Sequence, residues 1–249
     1  MSGHSKWSTI KHKKAAQDAK RGKLFTRVIK ELTIAARLGG GDATGNPRLR
    51  SAISAAKTAN MPADNIKRAI QKGTGELPGV SYEEVSYEAY GPGGIAILIE
   101  TLTDNRMRTT PEIRHLFTKH GGTLAEPNSV AWMFDTRGRI TLQASAIEED
   151  RLMELVLEAG ADDLRREDDE FEIVTSQETF HAVEQALEGA GLTPTDSAIV
   201  KEPQNTVKLE GKKAEQCLRL LEYIEEHEDV QNVYANLEID EAALDAESG

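Results

Sequence analysis

RITLQASAIEEDRLMELVLEAGADDLRREDDEFEIVTSQETFHAVEQALEGAGLTPTDSAIVK, residues 139–201, is the stretch whose reading decides the fold. Its periodicity predicts a strand over 139–142, a helix over 147–158, strands over 162–166 and 171–175, a helix over 177–190 and a strand over 196–201. The tight turn between the two middle strands is Glu167-Asp168-Asp169-Glu170, four solvated acids. A β-α-β-β-α-β succession is the ferredoxin-like pattern, so this stretch alone makes an α+β module.

Working outward, the flanks each hold half of a further unit. Downstream, the pattern gives a strand over 206–209, a helix over 212–227 and a strand over 230–237. Upstream come strands over 82–90 and 95–102, joined by Gly91-Pro92-Gly93-Gly94 as a hairpin turn, then a helix over 109–119 and a strand over 130–134. Two halves separated by a complete module read as one α+β domain split by insertion. Ahead of both lies a three-helix segment. Phe25, Val28, Ile29, Leu32 and Ala36 recur at helical spacing over 15–38, and Gly39, Gly40 and Gly41 stop the pattern. Asn46-Pro47 starts a second helix running to about residue 60, and Pro62 with Ile66, Ala69 and Ile70 makes a third that Gly73 caps. The glycines and proline of 73–79 read as a linker. The expected fold is α+β in three domains: a basic arm and α-helical domain over 1–75, a discontinuous α+β domain over 80–134 and 205–240, and an inserted ferredoxin-like domain over 135–204.

The net charge of −12 hides a division. Residues 1–75 hold 16 Lys and Arg against 4 Asp and Glu, while the rest of the chain holds 14 against 38. A cation joined to an anion suggests a part that touches a polyanion and a remainder that avoids it. The cations Lys6, Lys11, Lys13, Lys14, Lys20, Arg21, Lys23, Arg27 and Lys30 fall within 25 residues, opposed only by Asp18. On the first helix Lys20, Lys23, Arg27 and Lys30 step by three and four, along a stripe opposite Phe25, Ile29 and Leu32. Such a row attracts phosphates by releasing counterions, without reading bases. Trp7, inside the arm, serves either as an anchor docked on the body or as a stacking platform. Thr103-Asp104-Asn105-Arg106-Met107-Arg108-Thr109-Thr110 ends a strand and opens a helix; it is either a capped helix start with solvated arginines or a loop in which Arg106 and Arg108 contact RNA or a partner.

Catalytic chemistry finds no support in the residues. Glu112-x-x-His115 and Glu178-x-x-His181 have di-iron spacing, but they fall in separate α+β modules rather than in four packed helices. No phosphate-loop, nucleophile-elbow or zinc-spaced pattern occurs, His4 and His12 lack partners at ligand spacing, and the single cysteine, Cys217, falls on the apolar side of a helix. Neither a catalytic residue, a metal nor a cofactor is expected. The apolar run over 95–99 is too short to cross a bilayer, and MSGHSKW has no signal-peptide core behind it, so a cytoplasmic chain with no membrane partner and no small-molecule substrate is expected.

Several motifs together give the chain an end-to-end resemblance to the YebC/PmpR family, which includes a mitochondrial translational activator. They are Gly3-His4-Ser5-Lys6-Trp7, Gly39-Gly40-Gly41-Asp42 with Asn46-Pro47-Arg48-Leu49-Arg50, and Asn60-Met61-Pro62. Further on stand Tyr90-Gly91-Pro92-Gly93-Gly94, Thr103-Asp104-Asn105-Arg106, His120-Gly121-Gly122, Ser129-Val130-Ala131-Trp132-Met133-Phe134 and Val230-Gln231-Asn232-Val233-Tyr234-Ala235-Asn236. The segment Leu124-Ala125-Glu126-Pro127-Asn128 departs from the pattern, where a glycine-containing turn is expected. The resemblance implies three domains with the ferredoxin-like one inserted. It also implies either a DNA-binding transcriptional regulator, the leading expectation, or a ribosome-associated translation factor that relieves stalling at proline-rich sequences. The expected partners are accordingly DNA or ribosomal RNA, met by a monomer.

Overall fold

Asn46-Pro47 starts a helix for two local reasons. The asparagine side chain accepts a hydrogen bond from the Leu49 amide, and proline fills the first helical position, where no amide proton is needed. The buried Asn46 amide also donates to the Ala35 and Gly40 carbonyls, both at 2.8 Å, tying the cap to the end of the preceding helix. In the computed structural model, which describes residues 19–239, the N-terminal segment is α1 (Ala19–Gly39), α2 (Pro47–Thr58) and α3 (Ala63–Thr74). Their shared core is Val28, Leu32, Ala35 and Ala36 of α1 against Leu49, Ala52, Ala56, Met61 and Ala69.

Gly73 does not cap α3. It lies within the helix, and Gly75, at φ 83°, ends it. A Cβ at position 73 would stand 2.3 Å from the Thr33 carbonyl oxygen, so this glycine is where α3 crosses α1. The connection to the next strand, which begins at Glu83, therefore runs over 75–82 rather than 73–79.

A hairpin follows, β1 (Glu83–Tyr90) antiparallel to β2 (Ala96–Thr103), with Tyr90 opposite Ala96. The Gly91 amide donates to the Ile95 carbonyl across the turn, and Gly93 takes φ 78°. Next come α4 (Arg106–Lys119) and the short β3 (Thr123–Leu124). The helix starts three residues before the expected 109, because Asn105 caps it by accepting from the Arg108 amide.

The expected strand over 130–134 does not form. Ala131–Met133 is a 3-10 turn, and Phe134 opens a strand of the following unit. The reason lies in the backbone donors: the Asn128, Val130 and Ala131 amides point at the Glu88 carboxylate and so cannot join a ladder. In the departing segment, Asn128 adopts φ 68°, the left-handed conformation a glycine would have supplied.

Residues 134–204 form a compact unit of their own. It contains β4 (Phe134–Gln143), α5 (Glu149–Glu158), β5 (Ala161–Glu167), β6 (Glu170–Ser176), α6 (Phe180–Gly189) and β7 (Asp196–Pro203). All pairings are antiparallel, in the order β5-β6-β4-β7, the ferredoxin-like arrangement. Leu152 and Val156 of α5 with Phe180, Val183 and Leu187 of α6 cover Ile140, Leu142, Phe171 and Ile173. Gly138 admits the Phe180 ring, which would lie 2.4 Å from an added Cβ.

The chain then returns to the first unit as β8 (Val207–Leu209), α7 (Gly211–Glu226), β9 (Val230–Ala235) and β10 (Leu237–Ile239). The single strand expected over 230–237 is divided at Asn236. This buried residue accepts from the Ala96 amide through its side chain and from the Val207 amide through its carbonyl. β9 therefore pairs with β2, giving the order β3-β1-β2-β9, and β10 pairs in parallel with β8. Helices α4 and α7 pack Ile113, Phe117, Cys217, Leu220, Leu221 and Ile224 onto Val85, Tyr87, Ile97, Ile99 and Val233. No helix among the described residues is long and apolar enough to cross a membrane.

Candidate nucleic-acid interface

Lys6, Lys11, Lys13 and Lys14, like Trp7, lie outside the described residues. Lys20 and Arg21 fall in the first turn of α1. Lys23, one turn on, is exposed. From there the predicted row turns inward. The Arg27 guanidinium donates to the Glu225 carbonyl at the end of α7. Lys30 is buried: its ammonium donates to Asp229 Oδ1 at 2.6 Å, to the Glu228 carbonyl at 3.0 Å and to the Leu102 carbonyl at 3.2 Å. Ile34, one turn further along the same stripe, is also buried. The stripe is therefore a packing face in its C-terminal half, and Lys30 is withdrawn from any phosphate. An ammonium with three close oxygen acceptors and almost no water contact has no donor left to offer.

Asp229, in the turn between α7 and β9, is the hub of this contact. It is 1% exposed. Its Oδ2 accepts from Arg108 Nη2 at 2.6 Å and from Thr109 Oγ1 at 2.7 Å. Because the Thr109 hydroxyl proton goes to the carboxylate, Thr103, 2.7 Å from it, donates in turn, and the Asn105 amide donates to Thr103. Burial alone would raise the Asp229 pKa. Hydrogen bonds from Lys30, Thr109 and Arg108, with the Lys30 charge, outweigh it and hold the carboxyl well below the usual range. Arg108 is thus largely engaged, also lying 3.2 Å from Asp104 and 3.5 Å from Glu228, whereas Arg106 and Met107 beside it are exposed. Arg48 is engaged too. It grips Glu31 of α1 through two nitrogens at 2.6 and 3.0 Å, and reaches Glu84 of β1 at 2.7 Å.

Within the helical segment, what remains available lies mostly on α3. Lys67, Arg68 and Lys72 are exposed and, among the described residues, have no acidic partner, on the side of the helix away from Ile66, Ala69 and Ile70. Lys57 at the end of α2 is likewise exposed and without an acidic partner among the described residues. Reading the first helix for a stripe missed these residues, although α3 carries its own: Arg68 and Lys72 stand one turn apart with Lys67 adjacent. The buried acid Asp229 gave no sign in isolation. Ile34, an apolar residue continuing the cationic row, was the available hint that the row packs against something.

The residues weighed for catalysis have structural partners. Glu112 meets His227 at 3.1 Å rather than His115, and His181 meets Glu184 at 2.8 Å rather than Glu178. Cys217 is buried and its thiol is pushed up to about 12 by that burial, far from a thiolate at neutral pH. Among the described residues, no group of three or more His, Cys, Asp or Glu is placed to hold a metal ion.

Two family models match the chain. The model described as TACO1/YebC protein N-terminal domain covers residues 5–76, and the one described as TACO1/YebC second and third domain covers 82–237. A probable transcriptional regulatory protein of Desulfatibacillum aliphaticivorans is 57% identical over 244 residues, spanning 98% of this chain and 99% of that one. Another of the same description, from Koribacter versatilis, is 57% identical over 249 residues and the full length of both. The crystal structure of a conserved hypothetical protein from Aquifex aeolicus superposes with a TM-score of 0.86 at 46% identity, covering 95% of this chain and 98% of that one. By both family models and by full-length identity, the chain belongs to the TACO1/YebC family.

Proposed function

We propose that the protein is a non-catalytic regulator of gene expression that works in the cytoplasm as a monomer and holds duplex DNA through the phosphates. The observation that carries this reading is the set of exposed cations Lys23, Lys57, Lys67, Arg68 and Lys72, which have no acidic partner among the described residues, on the helical segment of an otherwise acidic chain. Cations engaged internally, such as Lys30 and Arg48, build the fold; these do not, and their free ammonium and guanidinium groups match what a phosphate backbone requires. The sequence ahead of α1 adds further positive charge, and the acidic residues downstream keep the rest of the molecule away from a polyanion. The relatives' description as probable transcriptional regulatory proteins supports DNA as the partner. Since the contacts are with phosphates, affinity falls steeply with salt and depends little on sequence.

The test is equilibrium binding, by fluorescence anisotropy at matched salt, to a labelled duplex DNA and to a structured ribosomal RNA fragment. Binding of the duplex at least as tight as that of the RNA is expected. A strong preference for the RNA would replace transcription by a ribosome-bound role in translation, and binding of neither would refute both.

A further inference from the structure

Glu88 lies on the face of β1 away from α4 and α7, where an isolated carboxylate would be costly to bury. Instead three amides surround it: Asn128 at 2.6 Å on Oε1, Val130 at 2.7 Å and Ala131 at 2.8 Å on Oε2. Burial raises its pKa, but the backbone donors prevail and keep the carboxyl ionised, below its usual range. The outcome is a loop clamped to the sheet by a charged strut.

What the clamp holds in place is a pair of exposed rings. Trp132, 67% exposed, donates from its indole nitrogen to the Ser129 carbonyl at 3.1 Å. Tyr90, 42% exposed, donates from its hydroxyl to the same carbonyl at 3.3 Å. Both polar ends are thereby tied to one backbone oxygen. With those polar ends occupied, what the exposed part of each ring has left to offer is hydrocarbon, restrained by its hydrogen bond before anything binds.

We infer that Tyr90 and Trp132 form a stacking platform for unpaired bases of a single-stranded nucleic acid. A pre-oriented aromatic side chain whose hydrogen-bonding group is already satisfied selects a flat ring rather than a polar group, and the flat rings that accompany phosphates are bases. The inference rests on the nucleic-acid reading above and extends it. Phosphates would be met by the cations of the helical segment, which belongs to the same compact unit, and bases by Trp132 and Tyr90 wherever a strand is open.

Trp132 reports on its own occupancy. The chain has 2 tryptophans, so Trp7→Phe leaves a single indole. A single-stranded oligouridylate should quench Trp132 emission saturably, and a duplex at equal phosphate concentration should not. In the otherwise unaltered chain, Trp132→Ala should weaken oligouridylate binding by about 5- to 150-fold without changing the salt slope, since stacking adds affinity without counterion release. Trp132→Phe should retain most of the affinity, which separates loss of a ring from loss of the fold. Oligouridylate bound without quenching, equal quenching by the duplex, or an unaffected Trp132→Ala variant would each overturn the platform while leaving phosphate binding intact. Failure of the parent chain to bind either nucleic acid would overturn the underlying reading, and the platform with it.

Discussion

Replacing Asp229 by Asn keeps the shape of the side chain and removes the charge on which Lys30, Arg108 and Thr109 converge. Lys30 is the partner with nowhere to go. Its side chain is 8% exposed, so the variant holds a buried ammonium with only the Leu102 and Glu228 carbonyls for compensation. Breaking a buried ion pair by removing one member typically costs about 3–5 kcal/mol. The two carbonyls and the amide oxygen of the new asparagine soften the loss, and Arg108, already half in water, can turn to solvent. The lower end, about 3 kcal/mol, is therefore expected, a roughly 150-fold change in the folded-to-unfolded ratio. Adding Lys30→Met removes the stranded charge and fills the same volume with apolar atoms. The double variant should regain at least about 1 kcal/mol relative to Asp229→Asn alone. Urea unfolding followed by tryptophan emission and by far-ultraviolet circular dichroism measures both effects, with the two probes separating the compact units if they melt apart. A loss under about 1 kcal/mol for Asp229→Asn, or a double variant as unstable as the sum of the singles, would refute the claim that Asp229 anchors α1 through Lys30.

Other consequences follow from the same geometry. The depressed Asp229 pKa means that the folded state holds its proton more weakly than the unfolded chain, whose carboxyl titrates near its ordinary 3.8. Its stabilising contribution is thus complete above about pH 5 and is lost as pH falls through that range toward the folded value; the stability difference between the parent and Asp229→Asn should shrink on acidification, as urea melts across pH would measure. Gly73→Ala places a methyl group 2.3 Å from the Thr33 carbonyl, so despite the better helix propensity of alanine it should cost about 1–3 kcal/mol in thermal unfolding. Glu88→Gln removes the charge that three amides address and should cost about 1.5–3 kcal/mol, with faster hydrogen exchange at Val130 and Ala131 as the local signature.

Much of the architecture was legible because local signals agreed with the global pattern. The Asn46-Pro47 helix start, the Gly91–Gly94 hairpin and the β-α-β-β-α-β order all depend on neighbours in sequence. The misreadings have a common cause, a distant group that overrides a local preference. Residues 130–134 look like a strand, but Glu88, about forty positions earlier, captures the Val130 and Ala131 amides. Gly73 looks like a cap, but it is the close crossing with Thr33 that requires glycine there, and Gly75 takes the terminal role. For the interface the same logic holds. Charge by segment was visible, yet which cations are available depends on whether an acid such as Asp229 or a carbonyl such as that of Glu225 folds back onto them. Spacing on one helix cannot tell an exposed row from one that packs.

The division between engaged and available cations is the central claim, and the salt dependence of binding tests it most directly. Replacing Lys67, Arg68 and Lys72 by Gln removes three free charges. The slope of log affinity against log salt should then become shallower by about 2.7 on duplex DNA or about 2.1 on a single strand, with unfolding unaffected. Lys30→Gln in the parent chain should do the opposite, lowering stability and leaving the slope unchanged. An unchanged slope in the triple variant, or a slope reduced by Lys30→Gln in chains verified as folded, would contradict the account.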